Sequence, residues 1–161
     1  MSYERANGPI YTAAFVSTAL TANPHDVFGI VPSSNSRVCI HEIVLGIPSS
    51  DGTDVGVEIW RGSTGVSTGA DITPRNIHGW TAASTAKSAV TGPSSAVVST
   101  TSAVRLYADV TSELRWQYKP NPCDRPIFEV SQPAHVRITA PTTGRMRGAV
   151  TFSEIGKSAA S

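Results

Sequence analysis

Between His135 and Ile155 the chain alternates apolar and polar residues twice, with a turn signal in the middle, and no helix accommodates a period of two. In HVRITA, Val136 and Ile138 fall on one face of an extended chain, and His135, Arg137 and Thr139 fall on the other. Pro141-Thr142-Thr143-Gly144 supplies turn chemistry. MRGAVTF then resumes the pattern, with Met146, Val150 and Phe152 inward and Arg147, Ala149 and Thr151 outward. The expectation is a pair of half-buried strands forming a closing β-hairpin.

The same grammar recurs upstream. IYTAAFVSTAL (Ile10–Leu20) reads as a first strand and DVFGIV as a second, stopped by Pro32. RVCIHEIVLGI is apolar on both faces and belongs in the middle of a sheet. VGVEIWRG turns Val55, Val57 and Ile59 inward and puts Glu58 and Trp60 together on the outer face. In VRLYADV, Val104, Leu106, Ala108 and Val110 alternate with Arg105, Tyr107 and Asp109, and LRWQYK follows after Thr111-Ser112-Glu113, as if two paired strands met at a turn. IFEV is a short strand among Pro120, Pro122 and Pro126.

Composition agrees with many strands joined by turns. Charged residues make up 16% of the 161, while 20 serines and 17 threonines give a polar, uncharged exterior punctuated by 13 Gly and 11 Pro. The chain is one domain's length, with a polar arm over residues 1–9 and a single β domain over 10–161. The expected fold is all-β: one antiparallel β-sandwich, jelly-roll-like, of about eight to ten strands. Residues 70–102, nearly low in complexity, break this pattern and are the best candidate for a subunit contact.

The residues offer little chemistry. His25, His41, His78 and His135 form no metal-ligand motif with cysteine or carboxylate, and the adjacent His41 and Glu42 point to opposite faces of a strand. No nucleophile elbow is present, and carboxylates occur singly. The Gly/Ser/Thr-rich segment GSTGVSTG lacks the lysine and following helix of a phosphate loop. No enzyme activity, cofactor, metal or small-molecule substrate is expected. Cys39 in a strand and Cys123 in a Pro-rich turn read as free thiols.

A net charge of +1 argues against nucleic-acid and membrane partners, although residues 1–80 carry −3 and residues 81–161 carry +4. Two segments concentrate the basic character: Arg115-Trp116-Gln117-Tyr118-Lys119 and Arg145-Met146-Arg147. Arg, Trp and Tyr also anchor protein interfaces. On that ground Tyr3 and Arg5 in the arm, and Trp60, Trp80, Arg115 and Trp116, are the expected protein-interface residues.

VEIWRGSTG followed by TP, together with HVRITAPTTGRMRGAVTFSEI, resembles the β-sandwich head decoration, or cement, proteins of tailed bacteriophages, over residues 26–155 in overall pattern. The resemblance implies a virion protein on the capsid surface, assembled in the host cytoplasm, often trimeric, and clamping neighbouring major capsid subunits. The alternative is a tail or baseplate component, including a receptor- or glycan-binding module, with Trp60, Trp80 and Tyr118 stacking on sugars.

Overall fold

The computed structural model describes residues 9–17, 24–47, 54–62, 71–77, 87–91, 103–139 and 144–156. Twelve strands are present among them: β1 (Ile10–Val16), β2 (His25–Val31), β3 (Ser36–Gly46), β4 (Val55–Arg61), β5 (Asp71–Ile72), β6 (Arg75–Asn76), β7 (Lys87–Thr91), β8 (Val104–Thr111), β9 (Arg115–Tyr118), β10 (Ile127–Phe128), β11 (Ala134–Thr139) and β12 (Arg147–Gly156). Three are two-residue pieces, so the main strands fall within the expected eight to ten. β5, β6 and β7 lie in the segment whose path the pattern left open. Residues 1–8 of the arm are outside the described residues.

The strands form two antiparallel sheets. Sheet A runs β10-β3-β12-β1-β6, with β9 beside β10 along the same edge of β3. Sheet B runs β5-β7-β2-β11-β4-β8. β3 sits inside its sheet, as its two apolar faces require.

Alternation along the strands builds the core between the sheets. Tyr11, Ala13 and Phe15 of β1 meet Val150 and Phe152 of β12 and Ile40, Ile43 and Leu45 of β3. Sheet B answers with Phe28 and Ile30, Val57 and Ile59, and Val136 and Ile138. Aromatic rings tie the layers: Tyr11 stacks on Phe152 within sheet A at 5.7 Å between centroids, and Phe15 meets Phe28 across the sandwich at 5.2 Å. Gly148 is where a side chain would not fit, because a Cβ there would lie 2.6 Å from the Val44 carbonyl oxygen and 2.7 Å from the Phe15 ring. Gly144, with φ of 93°, takes the left-handed conformation in the turn that the sequence marks.

The structure corrects the pairing in two places. β11 and β12 are not a hairpin: β12 lies between β1 and β3 in sheet A, and β11 between β2 and β4 in sheet B. β8 and β9 are divided in the same way, β8 on β4 and β9 on β3. Alternation reports which side chains share a face, and it carries no information on which strand supplies the backbone partner.

The facing changes too. His135 and Arg137, expected on a solvent face, are only 1% and 4% exposed, so β11 is buried on both sides. In β8 a bulge opposite Ile59/Trp60 interrupts the period, and Val110 is exposed while Tyr107 and Asp109 pair with the inward residues Ile59 and Val57. Cys39 is buried and Cys123 exposed, both as free thiols.

Three histidines, His25, His41 and His135, are shut away from water. Among the described residues neither ring nitrogen of His25 has a hydrogen-bond partner, and burial lowers its pKa despite the opposing pull of Asp26. Burial also lowers the pKa of His41, helped by the charge of Arg125, while its Nε2 lies 2.8 Å from Ser153 Oγ. The rings of His25 and His41 each bind a proton less readily in the folded chain than at the ordinary pKa of 6.5. Their contribution is therefore fully present above about pH 6.5 and is lost as the pH falls below it. The melting temperature should fall between pH 7.5 and 5.5, and His25→Gln should flatten that slope; an unchanged slope would show that His25 does not titrate with unfolding.

Candidate protein-interaction surface

Trp60 sits half-buried on the outer face of sheet B, where the alternation of β4 puts it beside Glu58. Its indole Nε1–H donates to Glu58 Oε2 at 2.8 Å, and Glu58 Oε1 accepts from Arg105 of β8 at 3.0 Å. The guanidinium of Arg137 lies 5.1 Å from the Trp60 ring centroid and that of Arg105 lies 5.9 Å away. Arg137 in turn donates from Nε to Asp26 Oδ1 at 2.8 Å and from Nη2 to Oδ2 at 3.4 Å. Asp26, Arg137, Glu58 and Arg105 thus alternate in sign across four adjacent strands, with Trp60 clamped among them.

The Asp26–Arg137 pair is enclosed, with its side chains 2% and 5% exposed. Register explains the meeting: Arg137 pairs with Asp26 on one side and with Glu58 on the other, beside a bulge in the β11–β2 ladder. Sequence reasoning missed this network. Its one legible part was the shared face of Glu58 and Trp60; the match of Asp26 to Arg137 depends on a strand order that residue pattern does not encode.

Trp116 was expected at an exposed contact, and the structure corrects this. It is 4% exposed and belongs to the core, because β9 pairs Trp116 with the inward Leu45. Its Nε1–H donates to Asp109 Oδ2 at 3.0 Å, and it lies parallel to Tyr118 at 6.3 Å, with Tyr107 4.7 Å from Tyr118. This cluster bridges β8 and β9 and closes one edge of the sandwich. The indole N–H, followed by the Val110 backbone N–H at 2.8 Å, holds the Asp109 carboxyl below its ordinary pKa. A shallow groove of about 450 Å³ runs outside the cluster, lined by Val110, Glu113, Arg115 and Gln117 among others.

Arg115 is exposed on the outer face of sheet A, opposite Gly46 of β3. Tyr3, Arg5 and Trp80 lie outside the described residues. Among the described residues no group of three or more His, Cys, Asp or Glu is arranged to hold a metal ion. No protein family, curated protein or solved structure matches this chain.

Arg137→Ala should cost about 3–5 kcal/mol, because it leaves Asp26 charged and buried. The double variant Asp26→Leu/Arg137→Met should recover most of that loss, since apolar groups of similar volume need no ionic partner. Urea denaturation of the full double-mutant cycle measures both, and simple additivity of the two losses would contradict the account.

Proposed function

We propose that this protein is a structural virion component that decorates a tailed-phage capsid by binding neighbouring major capsid subunits, and that its sandwich is a jelly roll. Strand order carries the reading. In sheet A the ladder β1–β12–β3–β9/β10, and in sheet B the ladder β2–β11–β4–β8, follow the succession of a jelly roll's two interleaved Greek keys. β5, β6 and β7 extend its margins next to β1 and β2. Viral capsid domains use this arrangement, and the inference from it to a virion role is one of fold-level analogy.

The character of the molecule supports the reading. Ladders of antiparallel strands resist deformation, a neutral Ser/Thr-rich exterior tolerates dense packing, and many copies on a lattice hold by multivalency even where each contact is weak. A homotrimer would place three copies around a lattice symmetry axis. Lectins also use jelly rolls. Against that alternative, the indole N–H groups of both Trp60 and Trp116 are committed to carboxylates within the chain, and Trp116 is enclosed.

Capsids purified without this protein should sediment with it, saturably and at a stoichiometry matching their lattice symmetry. Protein that remains in the supernatant at micromolar concentration, or that binds isolated tails instead, would contradict the proposal.

A further inference from the structure

The two basic segments of the sequence converge in space. Gly46 ends β3 with a register partner on either side: Arg115 of β9 on one and Arg147 of β12 on the other. All three lie on the outer face of sheet A, because their neighbours Trp116, Leu45 and Gly148 are the residues paired across the inner one. The glycine offers no side chain between them. Two exposed guanidiniums therefore flank a notch, on Cα atoms roughly 10 Å apart, two inter-strand spacings. Arg145, also exposed, leads into the same strand.

These arginines, like Arg75 and Arg125, differ from Arg37, Arg61, Arg105 and Arg137 in what they touch. Arg37, Arg105 and Arg137 each have a carboxylate partner, and Arg61 donates to the Ile127 carbonyl at 2.9 Å and lies over the Phe128 ring. Among the described residues, the side chains of Arg115, Arg145 and Arg147 make no ion pair or hydrogen bond. The nearby acids are mostly occupied: Asp109 by the Trp116 indole, and Glu42 by the Gln117 amide. Glu113, on the turn before Arg115, is the exposed exception.

Apolar side chains stand at the same end of the sandwich. Val16, which pairs with Arg147, is 44% exposed; Leu114, next to Arg115, is 67% exposed, and Val110 at the end of β8 is 64% exposed. Unpaired arginines interleaved with exposed Val and Leu have the composition of a protein interface. A nucleic-acid track would favour contiguous cations with outward aromatic platforms, and here Trp116 and Tyr118 turn toward the core.

We infer that this end of sheet A, centred on the Arg115–Gly46–Arg147 row, is the surface by which the chain docks, and that its occupant is a protein surface presenting carboxylates beside apolar side chains. The inference rests on the virion reading and gives the chemistry of the capsid contact. Guanidinium forks take carboxylates in bidentate pairs, and Val16, Val110 and Leu114 bury around them.

The test compares binding to capsids lacking this protein for the wild type, for Arg115→Glu/Arg147→Glu, and for the charge-matched control Arg75→Glu/Lys119→Glu. The Arg115/Arg147 variant should bind roughly tenfold more weakly or worse, as for two interface arginines, with the control close to wild type. Wild-type affinity should also fall with added NaCl. On the wild type itself, phenylglyoxal should modify Arg115 and Arg147 in free protein and spare them on capsids, with Arg75 reactive in both; this readout needs no variant to fold. Equal binding by the Arg115/Arg147 variant, equal loss in the control, unprotected Arg115 and Arg147, or equally tight binding to a DNA oligonucleotide would each overturn the inference while leaving capsid binding intact. Failure of the wild type to bind capsids at all would remove the virion reading and the docking surface together.

Discussion

The structure depends on where its last two strands go. β12 fills the gap between β1 and β3, and β11 fills the gap between β2 and β4, so each is the central ladder of a different sheet. Without β12, strands β1 and β3 have no backbone partner in common; without β11, neither do β2 and β4. Most of the hydrogen-bonded surface therefore forms only when the end of the chain meets its beginning. Such non-local pairing is slow to nucleate, because loop closure is opposed by entropy before the contacts reward it.

Placing β11 and β12 centrally also explains the unequal outer faces. On sheet B, β11 carries Arg137 into the middle of the outer face, where a guanidinium must find acids, and Asp26 with the Glu58–Trp60 pair supplies that setting. On sheet A, the outer residues of β12 and β1 include Thr151, Ala149, Thr12 and Ala14, small groups without charge. The same face carries Arg75 beside Thr12 at its margin, and at the end row around Gly46 the side chains of Arg115 and Arg147 have no ion pair among the described residues. The outer face of sheet B thus holds an enclosed ion pair and a clamped indole, whereas the end row of sheet A keeps its guanidiniums exposed.

Much of this was legible in the residues. The strands, the inward sets Val55/Val57/Ile59 and Val136/Ile138, the buried middle position of β3 and the turn at Gly144 all follow from period and turn chemistry. Partner choice was not legible, and the misplacing of Arg137 and Trp116 arises from it. Arg137 looks solvent-facing until Asp26 is known to lie beside it, and Trp116 looks like an exposed anchor until Leu45 is known to be its register partner. In β8 the bulge at Leu106 shifts the face of everything after it, which a strict period of two cannot anticipate.

The virion reading and the docking surface both stand on this strand order, so the most direct test is cross-strand nuclear Overhauser effects in the uniformly labelled protein. The account predicts backbone contacts from Val150 to Ile43 and to Ala13, and from Val136 to Phe28 and Ile59, with none between β11 and β12. A continuous ladder of contacts between Val136–Thr139 and Arg147–Val150 would make the two strands a hairpin and contradict it.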